Sequence, residues 1–115
     1  MGRIEVMTYP VMEAIRVVDG DTFDLHLDLG LRQYGHYRIR LRDVDAPEVY
    51  GARASEEGRM AKEFAERWFA SAVNPWVEIY HEGKFSRWIG EPYDVDGTVL
   101  SEELLEAGLA VEYRR

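Results

Sequence analysis

The chain has 115 residues, of which 46% are hydrophobic and 31% charged, and this size and balance are typical of a single soluble domain with one core. It contains no cysteine, which excludes disulfide bonds, thiolate metal sites and a cysteine nucleophile. Its net charge of -8 argues against a protein that holds nucleic acid by bulk positive charge, so any phosphate that it binds must be bound locally.

Targeting and membrane signals are missing from the sequence. No apolar run approaches the roughly 20 residues that a membrane-spanning helix needs, and the first ten residues, MGRIEVMTYP, lack the apolar stretch of a secretory signal. We therefore expect an intracellular, cytoplasmic protein with no membrane partner. The absence of repeats and linkers predicts one domain over residues 1–115, and we expect a monomer.

The first half of the chain has the pattern of three antiparallel strands. MEAIRVV, residues 12–18, runs into Asp19-Gly20, a dipeptide suited to a tight hairpin turn. TFDLHLDLGL, residues 22–31, alternates apolar and polar residues, which is the period of a strand with one buried face. A third strand is predicted over residues 35–44, with Ile39 on one face and Arg40 on the other.

A helix is predicted next. Residues 55–73 carry apolar side chains at helical spacing, with Ser55 as the N-terminal cap and Asn74-Pro75 as the stop. The apolar face predicts core positions for Met60, Trp68 and Phe69.

The remaining residues predict two strands and a second helix. WVEIYH, residues 76–81, is the fourth strand, and RWIGEPYDV, residues 87–95, is a fifth that Pro92 marks as an edge or bulged strand. The short C-terminal helix is capped by Ser101 and closed by Gly108. Together these elements predict an α+β fold: a five-stranded OB-type barrel with a helix between strands 3 and 4 and a short C-terminal helix.

Four carboxylates fall at two strand ends. Asp19 and Asp21 flank the first turn, and Asp45 and Glu48 follow the third strand. These ends can be neighbours in an antiparallel sheet, and carboxylates with a backbone carbonyl such as that of Ala46 are the ligands that hard cations such as Ca²⁺ prefer. Turn chemistry explains the same residues without a metal, and on these fragments alone it is the favoured explanation.

Arg40 and Arg87 are candidate phosphate ligands. Two arginines with a cation can hold a phosphodiester and stabilise the charge that it gathers under attack. For Arg40 by itself, a solvated face shared with Arg38 and Arg42 is the simpler interpretation. Arg40 and Asp45 have opposite parity along a regular strand, so the chain must bend before Asp45 if both residues face one site.

Four stretches, VVDGDTF, RIRLRDVDAPE, KFSRW and DGTVLSEELLEAGLAVEY, resemble in family order the staphylococcal-nuclease-like (thermonuclease) phosphodiesterases, and the match runs over residues 15–113. The resemblance implies an OB barrel, a Ca²⁺ cofactor and a nuclease, with an endonuclease expected. Its reaction would be hydrolysis of DNA, RNA or both by in-line attack of water. The implied metal ligands are Asp21, Asp45 and the backbone carbonyl of Ala46, with Asp19 as a nearby acid.

The same resemblance implies roles for the other site residues. Glu48 would orient or deprotonate the attacking water, while Arg40 and Arg87 would clamp the phosphate. The expected nucleotide contacts are Lys84, Phe85 and Tyr113. Phe85 stands where the family commonly has a tyrosine, so a hydrogen bond to phosphate is lost while ring stacking is kept. Relatives continue into a further helix after the short one, so contacts outside the scissile phosphate are expected to differ.

Two alternative functions remain open from the sequence. One is a catalytically weak, nuclease-like module that binds nucleic acid or protein, and the other is a calcium-stabilised interaction domain whose acidic surface meets a basic protein. The first is disfavoured because every position of the active pattern is filled by the active residue type, namely Asp21, Arg40, Asp45, Glu48 and Arg87.

Overall fold

The computed structural model describes residues 7–113 of the chain. Its regular elements, in chain order, are β1 (Met7–Asp19), β2 (Thr22–Gly30), β3 (Gln33–Leu41), β4 (Val44–Asp45), a short 3-10 helix (Gly51–Arg53), α1 (Glu56–Ser71), β5 (Trp76–Glu82), β6 (Trp88–Tyr93), α2 (Leu100–Glu106) and β7 (Val111–Glu112). Five strands close into a barrel in the order β1-β2-β3-β6-β5, while β4 and β7 pair separately. In the described part of the chain, neither helix is long and apolar enough to cross a membrane.

The OB-type α+β barrel is therefore confirmed. The first three strands are antiparallel neighbours, as the alternation predicted, although β1 begins at Met7 rather than near residue 12. The barrel closes where β3 pairs with β6, and this pairing is parallel, with Ile39 opposite Trp88. Closure leaves the apolar faces of β2 and β3 pointing inward, where Phe23, Leu25 and Ile39 are fully buried.

Pro92 is only partly explained by the predicted edge position. The strand β6 lies between β3 and β5, so it is not an edge strand of the barrel. Its pairing with β3 covers residues 88–90 alone, and Pro92 lies beyond it, opposite Val77 of β5. The missing amide of the proline therefore costs no hydrogen bond to β3. The β5–β6 pairing also contains a register shift between Ile79 and His81.

The helix α1 covers the barrel with one apolar face. The side chain of Ser55 accepts a hydrogen bond from the Gly58 amide at 3.0 Å, so the predicted N-terminal cap is confirmed. The buried helical positions are Gly58, Ala61, Ala65 and Trp68. The prediction for Met60 was wrong, because its side chain is 46% exposed: it lies next to Ala61 in sequence and so about 100° away around the helix. Phe69 is half-buried, and its ring centre lies 5.2 Å from that of Phe23 in an edge-to-face arrangement.

The predicted cap of α2 was wrong. Ser101 lies inside the helix, and its hydroxyl donates to the Glu91 carboxylate at 2.6 Å instead of capping. The N-cap position belongs to Val99, which makes no side-chain capping bond. Gly108 closes the helix as predicted, with a positive φ of 72° and an amide that donates to the Leu105 carbonyl at 3.0 Å.

Candidate active site

A cleft of about 300 Å³ collects most of the predicted site residues. The β1–β2 turn and the segment that runs from β3 past β4 contribute Asp19, Asp21, Arg40, Asp45, Ala46 and Glu48. The turn and the strand end become neighbours because Thr22 pairs with Arg40 across β2 and β3, and because the Leu41 amide donates to the Asp21 carbonyl at 3.0 Å.

Three further residues complete the lining of the cleft. Arg87 reaches it from the loop before β6, and Tyr113 reaches it from the segment after β7. Thr22 also lines the cleft and was missed from the sequence. Its position immediately after Asp21, at the start of a strand predicted to lie beside β3, was the available signal.

The guanidinium of Arg40 is wrapped by the chain that follows it. The strand β3 ends at Leu41 and the chain bends before β4, so the predicted change of direction before Asp45 is confirmed. Arg40 Nη1 donates to the carbonyls of Leu41 at 3.0 Å and Val44 at 2.7 Å, and Nη2 donates to Asp45 Oδ1 at 2.9 Å. Arg40 is only 7% exposed, so the solvated-face interpretation was wrong for this arginine.

Asp21 is the buried acid of the cleft, with 4% exposure. Its Oδ2 accepts a hydrogen bond from the Ala46 amide at 2.7 Å and lies 3.5 Å from Arg40 Nη2. Its Oδ1 accepts from the Thr22 hydroxyl at 3.0 Å. Both oxygens are therefore partnered, as a buried charge requires. This network fixes the β1–β2 turn against the segment that presents Ala46 to the cleft.

Asp19 is an acid whose charge is poorly compensated. Burial, together with the neighbouring Asp21, raises the pKa of Asp19 from 3.8 to about 7. One of its oxygens accepts a hydrogen bond from the Asp21 amide at 3.1 Å, which favours the charged form but does not outweigh the burial. The burial of Asp19 and the neighbouring Asp21 therefore outweigh the Arg40 charge, which lowers the pKa of Asp19.

The donor atoms of the cleft suit a hard cation in kind. Asp21, Asp45 and the Ala46 carbonyl are oxygen donors, and oxygen donors are the ligands that a hard cation prefers. Across residues 7–113, no three carboxylate or imidazole side chains are grouped so as to hold a metal ion. An ion here would therefore have two carboxylates and would complete its shell with carbonyl, water or substrate oxygens.

Glu48 is exposed in the cleft, and its backbone is anchored. The Glu48 carbonyl accepts from the Ser55 amide at 3.1 Å, and Gly58 of α1 packs so closely that an added Cβ would lie 2.0 Å from the same oxygen. The first turn of α1 therefore fixes the backbone from which the Glu48 side chain extends. Gly58 is a positioning residue that the sequence analysis did not single out.

Arg87 stands on a tight loop. Its Nε and its backbone amide both donate to the Lys84 carbonyl, at 3.2 and 3.3 Å, and the two residues between them adopt positive φ angles, 61° at Phe85 and 58° at Ser86. Of the expected nucleotide contacts, Tyr113 lines the cleft, whereas Lys84 and Phe85 do not. Phe85 is 83% exposed, and its ring centre lies 5.5 Å from the Arg87 guanidinium carbon.

Comparison with known proteins identifies the family. The sequence model of the staphylococcal nuclease homologues matches residues 38–115, which is more than half of the chain. The chain belongs to this family. The matched region contains Arg40, Asp45, Glu48 and Arg87, while Asp19 and Asp21 precede it. The family match therefore includes both arginines of the cleft, Arg40 and Arg87.

Two of three individual relatives of this nuclease homologue are named as nucleases. The chain is 30% identical over 109 residues to the succinoglycan biosynthesis protein ExoI of Rhizobium meliloti (strain 1021), covering 90% of this chain and 52% of that protein. It is 36% identical over 77 residues to the probable staphylococcal-like nuclease CAN1 of Oryza sativa subsp. japonica, covering 67% and 22%. It is 26% identical over 116 residues to an uncharacterized endonuclease of Escherichia coli O157:H7, covering 96% and 69%. The chain thus spans about half the length of the first relative and about a fifth of the second.

Proposed function

We propose that this chain is a calcium-dependent nuclease that hydrolyses phosphodiester bonds in DNA, RNA or both by in-line attack of water. The observation that carries the proposal is that three separate segments of the chain line one cleft with the residues Asp21, Arg40, Asp45, Glu48 and Arg87. Membership of a nuclease family supports the reaction class. The cation and the substrate are proposals that rest on the chemistry of the cleft.

Glu48 is proposed as the general base. Glu48 and Asp45 are exposed carboxylates of the cleft, and Asp45 already accepts a hydrogen bond from Arg40, which leaves Glu48 as the candidate to take a proton from water. The contacts with Ser55 and Gly58 anchor the Glu48 backbone carbonyl and do not involve the oxygens of its side chain. A proton taken from the attacking water would pass to this carboxylate as the water oxygen forms its bond to phosphorus. The ester oxygen would leave with the electron pair of the broken P–O bond and take up a proton from solvent.

The two arginines are proposed to act differently. Most donors of Arg40 are occupied by Leu41, Val44 and Asp45, so this residue serves as a fixed positive charge beside the phosphate. Arg87 comes from a separate loop and is proposed to offer its planar fork to the nonbridging oxygens. The positive charges of the two arginines are thereby already in place to stabilise the negative charge that builds on the phosphate in the transition state.

Calcium would be held by Asp21, Asp45 and the Ala46 carbonyl, where it would supply positive charge to a phosphate oxygen. At this position the chain presents oxygen donors on a rigid frame. That frame is the hydrogen bond between Asp21 and the Ala46 amide, together with the Arg40 contact to Asp45.

A nucleobase is proposed to stack near the arginine loop. Phe85 offers an exposed ring beside Arg87, and Lys84 is a cation on the same loop. Tyr113, in the segment after β7, lines the cleft. Aromatic rings bind bases of any sequence, because every base has a π face. These contacts therefore predict little sequence preference.

A catalytically weak binding module is the second candidate, and one observation favours it. The buried Arg40 is largely committed to protein acceptors, as expected for an arginine that has become structural. This candidate predicts that nucleic acid is bound in the cleft and is not cut.

Cleavage assays separate the two candidates. Purified chain is incubated with supercoiled plasmid, single-stranded DNA and RNA in Ca²⁺, in Mg²⁺ and in chelator. The proposal predicts fragments in Ca²⁺, fewer in Mg²⁺ because that ion demands a stricter octahedral shell, and none in chelator. Binding without fragments would support the module, and equal cleavage in both ions would contradict the calcium assignment.

A matched pair of variants excludes a contaminating nuclease. Arg87→Lys, prepared in the same way, should lose about 100-fold or more in rate, because an ammonium group cannot reproduce the planar fork. Arg67→Lys makes the same change at an exposed position of α1 and should keep full activity. Equal rates for the two variants would show that the cleavage does not come from this cleft.

A further inference from the structure

In the part of the chain that the structure describes, some cations form ion pairs with acids, whereas two cations near the cleft do not. Four arginines form ion pairs with carboxylates, namely Arg38, Arg40, Arg42 and Arg59. Arg16 on β1 and Lys62 on α1 have no carboxylate within ion-pair distance among residues 7–113, even though the chain carries a net charge of -8. Asp24 lies opposite Arg16 in the β1–β2 register, but its carboxylate is paired with Arg38, so Arg16 keeps donors for another anion.

Arg16 and Lys62 converge on one hydroxyl group. The Lys62 ammonium donates to the Tyr50 hydroxyl at 3.3 Å and lies 5.6 Å from the centre of its ring. Arg16 and Lys62 line one groove, and together they lower the pKa of Tyr50. Three separate segments of the chain thus place two cations and a hydroxyl together at the surface.

This group borders the cleft. Tyr50 follows Glu48 by two residues, a span of at most about 7 Å of extended chain. Next to Lys62, Ala61 packs against the β1–β2 turn so closely that a Cβ added at Gly20 would lie 2.7 Å from the Ala61 Cβ. Tyr50 and Lys62 are therefore carried by segments that adjoin the Glu48 segment and the β1–β2 turn.

We propose that Arg16, Tyr50 and Lys62 form a second phosphate-binding subsite, which takes a phosphodiester of the substrate strand other than the scissile one. The proposal rests on the proposed nuclease function and specifies its substrate class, a polynucleotide strand rather than a single nucleotide diester. Two cations and a hydroxyl can donate to the oxygens of one phosphate, and such charge-assisted hydrogen bonds are the strong ones.

The subsite takes one phosphate rather than a long track. A groove between β1 and α1 continues from Arg16 and Lys62, and Glu13 and Glu66 line it further along. Each of these acids lies three or four residues beyond its cation, on the side away from the cleft. A strand that ran on into this groove would meet negative charge, so the backbone leaves the protein surface after the subsite.

Kinetics on two substrates test the proposal. The double variant Arg16→Gln/Lys62→Gln is compared with wild type on a single-stranded oligonucleotide and on a nucleoside diester that has one phosphate and a chromogenic leaving group. The expected result is a loss of about tenfold or more in kcat/KM on the oligonucleotide, from two charge-assisted contacts, and no change on the diester. The control Arg32→Gln/Arg67→Gln removes two exposed arginines outside the subsite and should match wild type on both substrates.

Each outcome decides a separate point. Unchanged oligonucleotide kinetics, or equal losses on both substrates, would overturn the subsite while leaving the nuclease proposal intact. If wild type cuts neither substrate, the nuclease proposal fails, and the subsite is tested by fluorescence anisotropy of the oligonucleotide in Ca²⁺ with Glu48→Gln as the background. There the double variant should bind about tenfold more weakly with a salt slope smaller by about 1, and an unchanged Kd would overturn the subsite.

Discussion

The Oδ2 atom of Asp21 accepts a hydrogen bond from the Ala46 amide at 2.7 Å, joining two segments that lie 25 residues apart. The same oxygen lies 3.5 Å from Arg40 Nη2, and the side chains of Asp21 and Arg40 are both more than nine-tenths buried. The cleft therefore has a buried ion pair at its base that also carries hydrogen bonds to the backbone. Removing either partner leaves the other charge buried, which is costly.

Arg40→Met tests how far this pair supports the fold. The apolar side chain has a similar length but leaves the Asp21 charge unpaired and the Leu41 and Val44 carbonyls without their donor. We expect a loss of about 3–5 kcal/mol in the free energy of unfolding, measured by urea denaturation. Arg38→Met removes an exposed ion pair with Asp24 and should cost at most about 1 kcal/mol. Equal losses would show that the burial of Arg40 does not matter.

Gly58→Ala tests the anchoring of Glu48. Helix propensity alone predicts that alanine stabilises α1 by about 1 kcal/mol. The added Cβ would lie 2.0 Å from the Glu48 carbonyl oxygen, so we expect the opposite: a loss of about 1–3 kcal/mol and a lower kcat. Glu57→Ala, an exposed neighbour on α1, is the control and should leave kcat unchanged. A stabilised Gly58→Ala protein with normal kcat would contradict this close contact.

Glu91 predicts a pH-dependent stability. Burial raises the pKa of Glu91 from 4.5 to about 7. Between these values the folded chain keeps a proton that the unfolded chain has released, so the free energy of unfolding should fall as the pH rises from 4.5 to 7. The fall contributed by this group is on the order of 3 kcal/mol.

Glu91→Gln should remove that pH dependence. The amide keeps an oxygen for the Ser101 hydroxyl but carries no charge, so the variant should be more stable than wild type at pH 8 and similar to it at pH 4.5. Chemical denaturation across this pH range measures the difference. The control Glu106→Gln changes an exposed acid at the end of α2 and should follow the wild-type curve. A constant difference between Glu91→Gln and wild type at every pH would refute the assignment.

Calcium should stabilise the folded chain through the same carboxylates that the proposed reaction uses. A ligand at about 100 times its Kd adds roughly 2.7 kcal/mol to the folded state and raises Tm by several degrees. Asp45→Asn should lose this response, whereas Asp43→Asn, at an exposed acid two residues earlier, should keep it. Thermal melts in Ca²⁺ and in chelator give both values. A wild-type Tm that ignores Ca²⁺ would count against the proposed ligand set.

The sequence predicted the parts of this structure that depend on local pattern. Alternation gave the first three strands, and Ser55 and Gly108 marked helix ends because capping involves residues close in sequence. The prediction that Ser101 caps α2 was wrong because its hydroxyl donates to Glu91, which lies ten residues away on β6. Local rules carry no information about such partners.

Strand periodicity could not predict the burial of Arg40, for a similar reason. Period-two alternation places Arg40 on the face of β3 opposite the core, next to Arg38, which is indeed exposed. The segment after β3 bends back and covers Arg40 with two carbonyls and Asp45, and this bend is a tertiary feature. The family resemblance indicated that Arg40 and Asp45 share a site, and the bend explains how they do.

The most direct test of the proposed reaction is Glu48→Gln. The amide has the size of the carboxylate but cannot take a proton from water. With oligonucleotide and Ca²⁺, its kcat should fall about 10²- to 10⁴-fold while the Kd for the oligonucleotide stays within about threefold of wild type measured in the absence of turnover. Glu57→Gln, at an exposed position of α1, should retain the wild-type kcat. A Glu48→Gln protein that cuts at the wild-type rate would contradict the assignment of this cleft as the catalytic site.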